Sequence, residues 1–283
     1  MMPNKRILIT GISGFIGSKL KEVLSAKGYE VWGISRRDMK NDSIIQGDLS
    51  SIESTTHAFS KIPECSIVIH AAALAHSTTK QPGQDYYSVN TAITNNVIAQ
   101  LAQKQVKLIF LSSIAVYGLE GRRSIVTPGS EKRPATKYGM SKLKCEDIIR
   151  ESGLNDITIL RPAPVFDDEH TDDVKKRVYF PGQTTLKYKI LPSPSYSLCH
   201  IDTLTKIILS LVDEKNVSLE TLNVVDPVPY DQNELAEKFP GIGIPVISFF
   251  ILPIWIFLKL FDSGWGYSVS CNLGKLLSHN IYE

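Results

Sequence analysis

The stretch T-G-I-S-G-F-I-G, Thr10 to Gly17, follows an apolar run, Lys5 to Thr10, and precedes a helically spaced segment, Phe15 to Lys27. It sets Gly11, Gly14 and Gly17 in a G-x-x-G-x-x-G pattern between a strand and a helix. Glycine answers a steric demand here: the backbone turns sharply, comes close to a bound group, and lets the helix pack on the strand. The helix N-terminus then offers N–H groups and a positive dipole end, which suit a pyrophosphate. The strand–turn–helix context therefore predicts dinucleotide binding along Gly11, Ser13, Gly14, Phe15, Ile16 and Gly17.

The rest of the first half repeats the alternation. Glu30 to Ile34, Ser66 to His70 and Lys107 to Ser112 have the composition of buried strands, and Tyr86 to Lys104 reads as a long helix. A helix over Tyr138 to Ser152 leads into another buried strand, Ile157 to Arg161. Strands alternating with helices predict βαβ units and a doubly wound parallel sheet. After Pro162 the texture changes, and residues 162–198 read as irregular. A helix (His200 to Val212), a strand (Thr221 to Val225) and a short helix (Gln232 to Phe239) follow. The expected organisation is a dinucleotide-binding domain over 1–162, with a returning segment at about 200–226. A small substrate lobe is expected from 163–199 and 227–283.

Bulk properties narrow the class. With 43% hydrophobic and 21% charged residues and a formal net charge of +2, there is no electrostatic case for nucleic-acid binding. Four cysteines lie far apart with no C-x-x-C pair, which argues against a zinc site or a disulfide framework and fits a reducing compartment. The N-terminus lacks the apolar core and cleavage site of a secretory signal, so a cytoplasmic location is expected. The uncharged run 242–258 is near the lower length limit for a bilayer span and holds Pro245 and Pro253. It reads as a buried or partner-facing helix of the small lobe, with attachment to a membrane surface as the competing expectation.

At the end of the second strand stands V-W-G-I-S-R-R, residues 31–37. An acid at this point would bind the 2′-hydroxyl of NAD. Here Ser35 takes the position and Arg36 and Arg37 follow. A guanidinium matches a 2′-phosphate in charge and fork geometry, which favours NADP, while a solvated basic loop is the plain alternative.

The stretch K-Y-G-M-S-K, 137–142, puts Tyr138 four residues before Lys142, on one face of a helix. Chance would allow this pair. The chemical reading is that the ammonium favours the phenolate, so that a phenol moves protons near neutral pH.

The ordered set T-G-I-S-G-F-I-G (10–17), G-D-L (47–49), V-I-H-A-A-A (68–73), V-N-T (89–91), L-S-S-I-A-V-Y-G (111–118), Y-G-M-S-K (138–142) and L-R-P (160–162) resembles the extended short-chain dehydrogenase/reductases. These are the NAD(P)-dependent nucleotide-sugar epimerases, reductases and dehydratases, and the likeness covers about residues 5–225. The resemblance implies an α/β, Rossmann-like doubly wound sheet with a small C-terminal substrate lobe. It implies Ser113, Tyr138 and Lys142 as catalytic residues. It places Asp48 and Leu49 at the adenine, and Ala71, Ala72 and Ala73 in the loop under the cofactor. Asn90 falls near the nicotinamide half, Ser112 in the same cofactor set, and Ala163 at a backbone contact to the nicotinamide. Ser113 and Tyr138 would meet the sugar. Relatives commonly form homodimers through four helices, here 86–104 and 138–152.

Other residues divide. His70 ends a buried strand and reads as a packed histidine, whereas His76 sits in a loop able to overlook the sugar. Tyr117 reads as core or cleft wall. Asp167, Asp168, Glu169, Asp172 and Asp173 read as a solvated acidic loop without metal-ligand spacing, so no metal is expected. Three departures from the family pattern concern substrate. P-A-P-V-F-D-D follows Arg161 without a glycine-rich turn. Pro164 stands where the galactose epimerase has an asparagine. Tyr196, in Y-S-L-C-H-I-D-T-L, replaces the arginine that clamps the nucleotide diphosphate. Arg177, with Lys175 and Lys176, is the expected substitute.

Ser113-Ile114-Ala115 carries no acid to drive elimination, which argues against dehydration. C4 epimerisation of a UDP-hexose through a 4-keto sugar leads. An NADPH-dependent 4-ketoreductase of a UDP-4-keto-6-deoxyhexose is the alternative, favoured by Arg36 and Arg37. A non-catalytic NADP sensor on the same fold is the alternative of another class, against which the retained Ser113, Tyr138 and Lys142 speak.

Overall fold

A computed structural model of the chain describes residues 5–74, 85–118, 125–214, 219–247 and 281–283. It divides into two compact units. The first comprises Met1–Gly118, Glu131–Pro162 and Leu204–Leu222, and the second Leu119–Ser130, Ala163–Thr203 and Asn223–Glu283.

Apolar runs form the strands β1 (Arg6–Thr10), β2 (Glu30–Ser35), β3 (Ile44–Gln46), β4 (Ile67–His70), β5 (Lys107–Leu111) and β6 (Asp156–Pro162). With Glu220–Val224 they make one seven-stranded sheet in the order 220–224, β6, β5, β4, β1, β2, β3. The pairings from β3 through to β6 are all parallel. Ile7, Leu8 and Ile9 of β1, the whole of β4 and the whole of β5 are buried. That is the pattern of strands covered on both faces, and it explains why their sequences run apolar without alternating. The order reverses between β1 and β4, whose register pairs Thr10 with His70. The chain therefore leaves these two neighbours in opposite directions and opens a crevice at their carboxyl ends.

The helices of this unit are α1 (Phe15–Ala26), α2 (Ile52–Ser60), α3 (Tyr86–Leu101) and α4 (Lys137–Arg150). Each of the last three starts on a side chain that accepts backbone N–H groups: Ser51, Asp85 and Thr136. α3 and α4 pack together, joined by a hydrogen bond of 2.9 Å from the Asn90 amide to the Ser141 hydroxyl. β3 and α2 had no sequence expectation, because three strand residues and a helix rich in Ser and Thr leave little periodicity to see.

In the second unit the expectation of irregular structure over 162–198 is corrected. Asp172–Val178 is a helix and Leu186–Leu191 a strand. The helix has Asp172 and Asp173 in its first turn and Lys175, Lys176 and Arg177 in its last, an order that complements the helix dipole. Its Val174 and Val178 pack with Leu198, Leu235 and Ala236. Residues 242–247 are also corrected, from helix to strand. Ile242–Ile247 pairs in parallel with Leu186–Leu191, and Pro245 sits in an edge ladder where its missing N–H is tolerated. Ile242 is 69% exposed. The remainder of the uncharged run lies outside the described residues. Among the described residues no helix is long and apolar enough to cross a membrane.

Candidate active site

The glycine turn is built on close backbone approach. Gly11 has φ +72°, and a Cβ there would lie 2.8 Å from the Cα and the N of Ala72, on the chain leaving β4. Any side chain meets both a left-handed backbone and an occupied space. Gly14 caps α1 without a side-chain bond and donates its N–H to the Gly11 carbonyl at 3.0 Å. Ser13, Phe15, Ile16 and Gly17 lie on this turn and the first turn of α1. A helix start without a side-chain cap, behind a cradle that a Cβ would fill, fits a dinucleotide pyrophosphate.

Ser35 ends β2, as expected, and is buried. Its hydroxyl donates to the Ser13 hydroxyl at 2.9 Å and accepts from the Arg37 N–H at 3.1 Å, tying the glycine turn to the β2 end. Arg36 and Arg37 are exposed. Arg36, Asp48, His57 and Lys61 line a hollow over β3 and α2. The Asp48 carboxylate accepts from the N–H and hydroxyl of Ser50 at 2.9 and 2.7 Å, while Leu49 is in the core.

The loop after β4 is held from two sides. The N–H of Ala72 donates to the Thr10 hydroxyl at 3.2 Å. The Asn90 amide accepts from the Leu74 N–H at 2.7 Å and donates to the Leu74 carbonyl at 3.3 Å. With its bond to Ser141, that amide is spent on protein groups, so Asn90 braces the loop of Ala71, Ala72 and Ala73 rather than reaching into the crevice. His70 is fully buried between the hydroxyls of Thr10 and Thr94, at 2.7 and 3.3 Å. Burial, helped by the Lys142 charge, pushes its pKa down to about 3, so it packs as a neutral imidazole. His76 lies outside the described residues.

α4 brings the tyrosine and lysine to the end of β5. Gly139 is what allows its first turn to lie so close. A Cβ there would come within 3.1 Å of the Ala115 carbonyl carbon and 3.2 Å of the Pro134 Cβ. Ala115 belongs to the 3₁₀ turn Ile114–Tyr117, capped by the Ser113 hydroxyl, which accepts from the Ala115 N–H at 3.1 Å. Tyr138 is half-buried. Lys142 is buried, donates to the Leu111 carbonyl at 2.7 Å, and holds its ammonium 4.9 Å from the Phe110 ring and 6.0 Å from the Tyr138 ring. Burial pulls its pKa down to about 8, against the opposing pull of Cys145 and Glu146. A desolvated cation beside the tyrosine is the arrangement that favours a phenolate.

Two residues expected at the cofactor also bond within the protein. Ser112 is buried and donates its hydroxyl to Glu146 at 2.6 Å. The N–H of Ala163, in the second unit, goes to the Val224 carbonyl at 2.9 Å. Also in that unit, Arg177 lies with its guanidinium carbon 5.7 Å from the Tyr196 ring centroid and donates to the Asp173 carbonyl at 2.6 Å. Arg177 thus lies against the tyrosine that stands where the arginine was expected. Glu146, Ser141 and Thr94 had no sequence expectation. Glu146 was visible in principle, four residues beyond Lys142 on the same helical stripe.

A doubly wound parallel sheet, a glycine turn at its switch point and a tyrosine four residues before a buried lysine define a dinucleotide-dependent enzyme of the extended short-chain dehydrogenase/reductase kind. The chain belongs to the NAD dependent epimerase/dehydratase family, whose model matches residues 7–217. It is 28% identical over 288 residues to the UDP-glucose 4-epimerase of Vibrio cholerae, covering 93% of this chain and 83% of that one. Among solved structures it resembles a short-chain dehydrogenase/reductase superfamily protein of Agrobacterium tumefaciens with bound NAD. The TM-score is 0.71 at 19% identity, covering 86% of each chain. It also resembles the dTDP-4-dehydrorhamnose reductase of Bacillus anthracis in complex with NADP. There the TM-score is 0.70 at 18% identity, covering 99% of this chain and 90% of that one. At such identities these two are likenesses of fold.

Proposed function

We propose that this enzyme interconverts the C4 epimers of a UDP-hexose by transient oxidation to the 4-keto sugar. The observation that carries the reading is the buried Lys142 ammonium, fixed on the Leu111 carbonyl beside the Tyr138 ring. Tyr138 takes the proton of the sugar C4 hydroxyl onto its phenolate oxygen and returns it when the ketone is reduced. Ser113, on the adjoining turn, aligns the sugar oxygen, and Lys142 keeps the phenol ionisable. A bound dinucleotide supplies the chemistry this chain lacks, accepting hydride from the sugar carbon and giving it back. The uncapped start of α1 at Gly14 would receive its pyrophosphate, on a turn that Gly11 and Gly17 keep tight by letting backbone approach backbone. Arg177 on Tyr196 offers a guanidinium to the diphosphate of the nucleotide sugar. The likeness to the Vibrio cholerae UDP-glucose 4-epimerase supports both reaction and substrate class.

A second reading, an NADPH-dependent 4-ketoreductase of a UDP-4-keto-6-deoxyhexose, is favoured by Arg36 and Arg37. They offer cations to a 2′-phosphate where Ser35 stands instead of an acid. The two readings part on cofactor exchange, because an epimerase regenerates its dinucleotide in every turnover and a reductase must release it. The test is to purify the protein without added cofactor, denature it and weigh the released dinucleotide. Epimerisation predicts about one dinucleotide per chain, with NADP the form that the two arginines favour. Stoichiometric NAD would keep the epimerase and remove the role given to Arg36 and Arg37. An empty protein that binds NADPH much more tightly than NADH would instead establish the reductase.

A further inference from the structure

Beneath Tyr138 and Lys142 lies a buried ion pair that the reaction as described does not use. Tyr138, Lys142 and Glu146 stand at i, i+4 and i+8 of α4, on one stripe. Lys142 donates to the carbonyl of Leu111 at 2.7 Å. Glu146 accepts from the hydroxyl of Ser112, the next residue along, at 2.6 Å. Arg161 comes in from β6 and grips both oxygens of Glu146, with Nε at 2.8 Å and Nη2 at 2.6 Å. Its Nη1 donates to the Tyr117 hydroxyl at 2.7 Å, with the guanidinium carbon 5.0 Å from that ring's centroid. Arg161 and Glu146 are wholly excluded from solvent, and Tyr117 nearly so.

The segment from Leu111 to Tyr117 is thus fastened at both ends, at Leu111 and Ser112 by α4 and at Tyr117 by Arg161. Ser113 lies between the two fastenings. We propose that Glu146 is a positioning residue, which together with Arg161 latches α4 to the end of β5 and so holds Ser113 in register with Tyr138 and Lys142. This rests on the catalytic reading of those three residues. Energetics favour a geometric over a stabilising role, because apolar side chains of similar volume commonly replace a buried ion pair at no loss of stability. What they cannot supply is directional hydrogen bonding to Ser112 and Tyr117. Glu146 also places a carboxylate on the Lys142 side of α4. Among the described residues, the other charged or titratable groups near this pair are His70 on β4, held neutral, Tyr138 and Cys145 on α4, and Arg161 and Arg150 against Glu146, the latter at 3.7 Å.

The test compares Glu146→Gln, the double variant Glu146→Met with Arg161→Met, and Tyr138→Phe. Glu146→Gln keeps shape and removes charge. Its kcat is expected to fall about 10- to 100-fold, the size of effect that small misplacements of reacting groups produce, with KM and dinucleotide affinity little changed. In the protein without dinucleotide, the carbon-13 shift of the Lys142 ε-carbon is expected to titrate at lower pH than in the wild type. The double methionine variant should unfold at nearly the wild-type temperature and share the kcat defect. Wild-type kcat and an unmoved Lys142 titration in Glu146→Gln would overturn the latch, as would losses that only follow the fraction of unfolded protein. If Tyr138→Phe is inactive while Glu146→Gln behaves as wild type, only the latch fails. Full turnover in Tyr138→Phe would remove the catalytic reading itself.

Discussion

Tyr138→Phe is expected to lower kcat for nucleotide-sugar conversion by about 10²- to 10⁴-fold, the range that positioned acid–base groups contribute. The phenyl ring keeps the tyrosine's shape beside the Lys142 ammonium, so the fold and dinucleotide binding should survive. The loss is therefore expected in kcat and not in KM. An interaction made only as the proton moves disappears from the transition state without weakening the ground-state complex. Fluorescence titration with dinucleotide and a thermal melt, run beside the kinetics, separate this outcome from a binding or folding defect.

Lys142→Met should abolish turnover and at the same time stabilise the protein. The lysine is buried and its pKa is drawn down to about 8 by desolvation. In an unfolded chain it titrates near its ordinary value of about 10.4. Below the folded pKa both states carry the proton, and the native state bears the full cost of a buried cation. Between the two values the unfolded state binds more protons, so wild-type stability rises with pH across that window and falls again on acidification. Methionine has a similar length and no charge to bury. The variant gains roughly 3 kcal/mol by the size of the shift, less about 1 kcal/mol for the hydrogen bond lost to the Leu111 carbonyl. A higher melting temperature at pH 7, and an advantage over wild type that narrows towards pH 10.5, are the expected results. A variant less stable than wild type at pH 7 would mean that the buried cation is not a burden on the fold.

Much of the first unit was legible because its strands are short, apolar and buried on both faces, and its motifs lie at their ends. Thr10 to Gly17, Val68 to Ala73 and Leu111 to Gly118 each straddle a carboxyl end of β1, β4 or β5. The sequence order of those motifs therefore traces the rim of the crevice. What the sequence does not display is a partner far along the chain. The resemblance places Asn90 and Ser112 by the dinucleotide, and their side chains bond Ser141 and Glu146, 51 and 34 residues away. The second unit was harder because its helix and strands are short and show little periodicity. Asp172 and Asp173 are exposed, as a solvated segment requires, but they open a short helix that lays Val174 and Val178 on the core. The uncharged run from Ile242 suggested a helix on hydrophobicity alone, although its β-branched residues and Pro245 suit the edge strand that forms.

In the proposed reaction one enzyme removes hydride from a sugar C4 and returns it to the opposite face, with Tyr138 moving the proton. It is tested most directly by incubating the purified protein with a UDP-hexose in deuterium oxide and following C4 by proton NMR. The expected result is a mixture of both C4 epimers in which the C4 hydrogen remains protium. Deuterium appearing at C4, or a UDP-hexose left unchanged while a 4-keto sugar is reduced at the expense of NADPH, would contradict it.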